Sequence, residues 1–144
     1  MSDSENEFLW PVRVYYEDTD SGGVVYYANY LKFMERARTE MLRSFGFEQD
    51  RLIAEQGVIF AVHSLSIQYK KPAVFNDELI VKTIISDCGR ASFDFSQSVV
   101  RASDDTLLCT AEIKVACINA EKFTPTVLPK IMLSKINKGD SSGS

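Results

Sequence analysis

Hydrophobic positions along this chain change period once, from helical to strand spacing. Tyr30, Met34, Ala37, Met41 and Phe45 recur at intervals of three and four, the signature of one buried helix face. Leu31 and Leu42 widen that stripe, while Lys32, Glu35, Arg36, Arg38 and Arg43 fall mostly elsewhere. The spacing predicts a helix over about residues 28–45, with Gly46 placed to end it as a left-handed cap. At about 1.5 Å per residue such a helix is roughly 27 Å long, enough to cross a small sheet. Ahead of it, WPVRVYYE predicts a strand after Pro11 that stops where Asp and Gly begin. Behind it come a short amphipathic piece around 49–56 and then alternating segments. VIFAVHSLSIQYK puts Ile59, Ala61, His63, Leu65, Ile67 and Tyr69 on one face, and ELIVKTIIS, ASFDFSQSVVR and TLLCTAEIKVACI follow as long strands. The SDD turn at Ser103–Asp105 joins the last two as a hairpin. One long early helix with consecutive strands after it predicts an α+β fold, a curved antiparallel sheet of about five strands wrapped around a central helix.

No linker or internal repeat interrupts this pattern. The 144 residues fit one domain, expected over 10–136, with a disordered amino-terminal segment over 1–9 and a flexible tail over 137–144. A net charge of -4 argues against general nucleic-acid binding, which draws its affinity from Lys and Arg on phosphates. MSDSENEF lacks the apolar core of a secretory signal, and no run approaches a membrane span. These features read as a cytoplasmic protein without an integral membrane segment. Cys88, Cys109 and Cys117 are odd in number and lack CxxC spacing, which disfavours a disulfide framework and a zinc site. Cys109 and Cys117 share one parity of an apolar strand and read as small core residues.

Candidate chemistry concentrates in YEDTDSGGVVYYANY, residues 16–30. Glu17, Asp18 and Asp20 precede Gly22 and Gly23, and aromatic residues open the helix. Read locally, this is equally a solvated strand end with an Asx turn. An EF-hand fails, because its fifth position is Gly22, its twelfth is Asn29, and the element before it is a strand. A D-x-D metal site rests on two carboxylates alone, with no phosphate-binding fingerprint beside them. The remaining reading sets an acid beside a helix amino terminus, whose free N–H groups and positive dipole end can stabilise an oxyanion. The glycines permit a tight turn and close approach of backbone to ligand. A carboxylate opposite such a site can activate water or attack a carbonyl, as acyl transfer requires.

The run VRVYYEDTDSGGVVYYANYLKFMERARTEMLRSFGF strongly resembles the Tol-Pal-associated acyl-CoA thioesterases, in the 4-hydroxybenzoyl-CoA thioesterase branch of the hotdog-fold superfamily. IQYKKPAVFNDEL and AEIKVACIN extend the resemblance more loosely to about Leu128. It implies a hotdog fold and hydrolysis of an acyl-CoA thioester to free acid and coenzyme A, with no metal and no cofactor beyond the substrate's own coenzyme A. Asp20 falls on the family's catalytic carboxylate, nucleophile or general base, and the backbone N–H of Tyr27 on its oxyanion donor. The resemblance also implies a homodimer with joined sheets and active sites at the interface, often doubled to a homotetramer. One departure is local: those relatives carry VVYH where this chain has VVYY, so Tyr27 replaces an imidazole. The backbone donor survives that change.

The expected substrate-binding positions are Gly22, Gly23, Val24 and Tyr26 on the loop, with Lys70, Lys71 and Arg90 as candidates for coenzyme A phosphates. Exposed Lys and Arg more often only solvate a surface, so those three rest on charge alone. Tyr15, Tyr16, Tyr26 and Tyr30 read mostly as core, with Tyr27 as the pocket residue. Like charges on Glu17 and Asp18 would disfavour ionisation of Asp20. His63, the single histidine, reads as structurally packed, and with no Gly-x-Ser-x-Gly elbow a serine triad is disfavoured. The reading in another class is a hotdog module that binds acyl carrier protein or a lipid-synthesis complex without turnover.

Overall fold

In a computed structural model of the chain, residues 7–134 are described. Five strands and two helices of eight or more residues follow in the order β1 (Phe8–Arg13), α1 (Tyr27–Ser44), α2 (Gln49–Gln56), β2 (Val58–Tyr69), β3 (Glu78–Cys88), β4 (Ser92–Arg101) and β5 (Leu107–Asn119). All pairings are antiparallel and the sheet order is β1-β3-β4-β5-β2. The curved sheet wraps α1, as the α+β hotdog expectation required. Most of the expected 1–9 segment and all of the 137–144 tail lie outside the described residues. Phe8 and Leu9, however, already belong to β1, which pairs Phe8 with Thr83 and ends at Arg13. The strand therefore starts before Pro11 and stops short of Tyr16. Phe8, Trp10 and Val12 alternate inward against the core, and Pro11 is tolerated because β1 is a sheet edge.

Helix α1 buries Tyr30, Phe33, Met34, Ala37, Met41 and Leu42. Phe33 replaces Leu31 in the expected stripe, since Leu31 is exposed. The helix ends at Gly46, with φ of 94°. Gly46 N–H donates to the Arg43 carbonyl and Phe47 N–H to that of Leu42, a double closure that a left-handed residue makes possible. The buried stripe meets an inner sheet face of Leu79, Val81, Phe93, Phe95, Val99, Ala111, Ile113 and Val115. Complete burial of side chains of this size contributes about 1.5–3 kcal/mol each, so this contact dominates stability. Outward positions are polar, with Lys114 paired to Asp94 and Ser96 donating to Glu112.

One polar group interrupts the apolar layer. Gln97 is buried on the helix-facing row of β4, and its amide nitrogen donates to the Met34 carbonyl at 3.0 Å and to Thr83 Oγ1 at 2.9 Å. Its oxygen accepts from Arg38 Nη1 at 3.0 Å. Both amide hydrogens and the oxygen are thus used, tying α1 to β3 and β4 at one register. The Arg38 guanidinium also lies 5.9 Å from the Phe95 ring centre, and its burial lowers its pKa from the usual value.

Strand β2 departs from the alternating expectation. It is the second sheet edge, and residues 61–66 are exposed on both faces. His63, expected to pack or hydrogen-bond structurally, sits at the bulge between Val62 and Ser64 and is exposed. The bulge shifts the register by one residue, so Phe60 and Val62, opposite Cys117 and Val115, share a face with Leu65, Ile67 and Tyr69 rather than with Ile59, Ala61 and His63. Val58, Phe60 and Ile67 pack against the core near the two ends, and the middle of the strand is left exposed. Cys109 and Cys117 are fully buried as expected, and burial pushes each thiol up to about 11.

Gln97→Leu is expected to lower unfolding free energy by about 1–3 kcal/mol, because the half-buried Arg38 loses its acceptor and Thr83 its donor. Urea titration measures this; an unchanged midpoint would show that the network does not hold the helix to the sheet.

Candidate active site

The chain between β1 and α1 folds into two small turns. A single 3-10 turn, Tyr16–Asp18, follows β1, and the Asp18 carboxylate turns back to accept the Tyr15 N–H at 2.9 Å. The Asp18 carbonyl accepts the Tyr26 N–H at 3.0 Å and the Asn29 side-chain amide at 2.9 Å. Asp18 is therefore a brace between the loop and the first turn of α1. Glu17 is exposed in the same turn.

The second turn carries Asp20. Its backbone N–H donates to the Val24 carbonyl, and its own carbonyl accepts from Gly23 N–H. Its Oδ1 accepts the Gly22 N–H at 2.8 Å, which aims the carboxylate and leaves Oδ2 outside that bond. Gly23 has φ of 84°, where a side chain is strained. A Cβ on Gly22 would lie 3.2 Å from Asp20 Oδ1, so the missing side chain keeps the carboxylate seated. Val25 N–H donates to the Ala73 carbonyl, and Val24 bridges Val74. These bonds lay the loop against the segment that follows β2.

Helix α1 begins at Tyr27 with no side-chain cap, and the first bond back into the turn runs from Asn29 N–H to the Tyr26 carbonyl. The earlier N–H groups of the helix, that of Tyr27 included, are the donors a helix start leaves over. A cleft of about 360 Å³ opens here. It brings together the sequence candidates Asp20, Val24, Tyr26, Tyr27, Lys70 and Lys71. Gly22 and Gly23 shape the Asp20 turn and do not line the cleft.

Arg90 stands apart, in the turn between β3 and β4. Lys70 N–H donates to the Leu108 carbonyl at one end of β5, whereas Ala91, beside Arg90, accepts from Cys117 N–H at the other. Nine steps along a strand separate these ends by about 30 Å. His63 is also remote, about 20 Å up β2 from Tyr69.

The other lining residues are Val25, Tyr30, Tyr69 and Pro72. Val25, Tyr69 and Pro72 were missed as site residues, and Tyr69 is the one with a polar group to offer. It immediately precedes Lys70 and Lys71, which was the available signal, but its parity with Ile67 assigned it to an apolar row. Of the tyrosines read mostly as core, Tyr30 is buried, while Tyr15, Tyr16 and Tyr26 are exposed; Tyr27, read as the pocket residue, is exposed and lines the cleft. Tyr15, Tyr16, Tyr26 and Tyr27 lie in the loop and the first helical turn, outside the layer between helix and sheet. Tyr16 stacks on Phe75 at 4.8 Å. Burial raises the pKa of Tyr30 and Tyr69, so both hydroxyls are neutral near pH 7.

Among the described residues, no cluster of three or more His, Cys, Asp and Glu is placed to hold a metal ion. The Asp18 and Asp20 carboxylates are held by different backbone N–H groups. The cleft thus combines one oriented carboxylate, a helix amino terminus, aromatic walls and two lysines at the mouth.

The sequence profile of the thioesterase-like superfamily matches residues 14–136. The chain is 47% identical over 131 residues to a protein of Escherichia coli O6:H1 named acyl-CoA thioester hydrolase YbgC, covering 91% of this chain and 96% of that one. A probable thioesterase from Bartonella henselae superposes with a TM-score of 0.80 at 37% identity, covering 85% of this chain and 99% of that one. Slr0204, a 1,4-dihydroxy-2-naphthoyl-CoA thioesterase from Synechocystis, gives a TM-score of 0.86 at 25% identity, covering 93% and 98%.

Gly23→Ala is expected to cost about 1–2 kcal/mol, the penalty of a left-handed residue that carries a Cβ. Chemical denaturation measures it; full retention of stability would show that the turn does not depend on that conformation.

Proposed function

The chain belongs to the thioesterase-like superfamily, and from that premise we propose that it hydrolyses an acyl-CoA thioester with Asp20 as the reacting carboxylate and the Tyr27 N–H as the oxyanion donor. The observation that carries the proposal is the single cleft shared by Asp20 and the uncapped start of α1. The thioester carbonyl points its oxygen at the helix N–H, where the dipole favours the negative charge that develops on it. Asp20 then acts by one of two routes. As general base it takes a proton from water while the oxygen of that water bonds to the carbonyl carbon; as nucleophile its own oxygen forms that bond. In either case the C–S bond breaks, the thiolate of coenzyme A leaves and is protonated, and the second route ends when water hydrolyses the mixed anhydride. The reaction draws on no metal and no bound cofactor.

Exposed Lys70 and Lys71 at the mouth suit the phosphates of coenzyme A, or the phosphopantetheine of an acyl carrier protein. Two copies joined through the bare β2 edge would form one continuous sheet and cover the strand that this chain leaves exposed. Antiparallel pairing sets the Lys70 end of one strand beside the Val58 end of the other, where the turn carrying Arg90 lies. Such a homodimer would supply Arg90 to the neighbouring cleft, and its pairing would give the homotetramer. The placement of the chain in the Tol-Pal-associated subgroup and in the cytoplasm belongs to this proposal.

Asp20→Asn is expected to keep the melting temperature and lose about 10²- to 10⁴-fold in kcat/KM, measured by thiol release from a panel of acyl-CoA substrates. Retained turnover would sink the role of Asp20, and affinity without thiol release in the unmodified protein would favour a binding module. Activity is expected to persist in excess chelator; its loss there would point to a metal.

A dimer is expected by sedimentation at micromolar concentration, and a charge at the strand centre, Val62→Lys, is expected to weaken it. A monomer that retains full activity would remove Arg90 from the site.

A further inference from the structure

Tyr69, the last residue of β2, links an anchored residue to an exposed one. Its ring centre is 4.7 Å from that of Tyr27 and 5.5 Å from that of Tyr30, with tilted planes in both pairs. Its hydroxyl lies 3.4 Å from the Tyr27 carbonyl oxygen. Tyr30 is immobilised, since it is 2% exposed and its hydroxyl accepts the Ala73 N–H at 3.0 Å. Tyr27 is 64% exposed and lies outside the core cluster. The contacts of Tyr69 therefore converge on the residue whose N–H opens the helix. Tyr69 is itself 39% exposed, which a ring kept only for core packing would not be.

We infer that Tyr69 is a positioning residue that holds Tyr27, and with it the first turn of α1, in line with the thioester, while its ring forms the wall that limits the acyl group. The inference rests on the thioesterase reading. The ring performs most of this function, because 3.4 Å is long for an O–H···O bond. The Tyr27 and Tyr69 rings both line the cleft of about 360 Å³, so removing the Tyr69 ring would open that wall to a longer acyl group.

The test compares the unmodified protein with Tyr69→Phe, Tyr69→Ala and Tyr69→Leu on acyl-CoA substrates of increasing length, with melting temperatures recorded in parallel. Tyr69→Ala is expected to lower kcat about tenfold on the shortest substrate, the value of one aromatic pair, and to raise kcat/KM for long chains relative to short ones. Tyr69→Phe is expected to stay within about threefold of the unmodified protein. Tyr69→Leu keeps bulk without a π face and takes the place of the Ala variant if that one does not fold. Unchanged kcat and unchanged chain-length ratio in Ala and Leu variants would overturn the inference and leave the thioesterase reading standing. Losses that follow the melting temperature at a constant chain-length ratio would assign Tyr69 to packing alone, and overturn it equally. Absence of turnover in the unmodified protein would overturn both.

Discussion

The site depends on one carbonyl group. Asp18 C=O accepts from both the Tyr26 N–H and the Asn29 amide, and so fixes the loop after β1 to the beginning of α1. The Asp20 N–H bond to the Val24 carbonyl and the Thr19–Val25 bridge close the Asp20 turn onto the same stretch of chain. The clip from Val25 N–H to the Ala73 carbonyl adds the third wall, the segment leaving β2. Each bond is worth about 1 kcal/mol net, small beside the core, yet together they select one geometry for the groups that line the cleft.

The core supplies the rigid frame for that geometry. Helix α1 presses its buried stripe against the inner sheet face, and the Gln97 network fixes where along the sheet the helix lies. An apolar layer alone would resist sliding weakly, whereas a fully satisfied amide can be satisfied at one register only. The Asp20 carboxylate sits on a turn outside this layer, where solvent reaches it. Stability and chemistry are thereby divided between neighbouring parts of one helix: its stripe packs, and its first turn is left open.

A protein of the thioesterase-like superfamily with this arrangement needs little dedicated machinery. In the proposed mechanism backbone N–H groups do the electrostatic work, which would leave the side chain of Tyr27 free to differ from the histidine of the relatives that the sequence resembles. The consequence is an aromatic wall in which Tyr27, Tyr30 and Tyr69 meet. On the inference that Tyr69 limits the acyl group, selectivity would follow from ring packing rather than from a titrating side chain.

Periodicity alone determined the element order, the long helix, its Gly46 terminus and the four consecutive later strands to within a residue or two, because spacings of 3.6 and 2 leave separate marks on a sequence. The glycines and acids before the helix marked the loop, and the aromatic-rich run after them tied it to a family. What sequence could not determine was which exposed groups meet. Arg90 and Lys70 look equivalent as basic residues, yet the strand between them places them at opposite ends of the sheet. Tyr69 reads as one more apolar position, yet it ends an edge strand where its ring meets those of Tyr27 and Tyr30 and stays 39% exposed. Residue type and spacing decide what each segment can form. Which segments lie at an edge, and which side chains converge there, is decided only when the sheet closes around the helix.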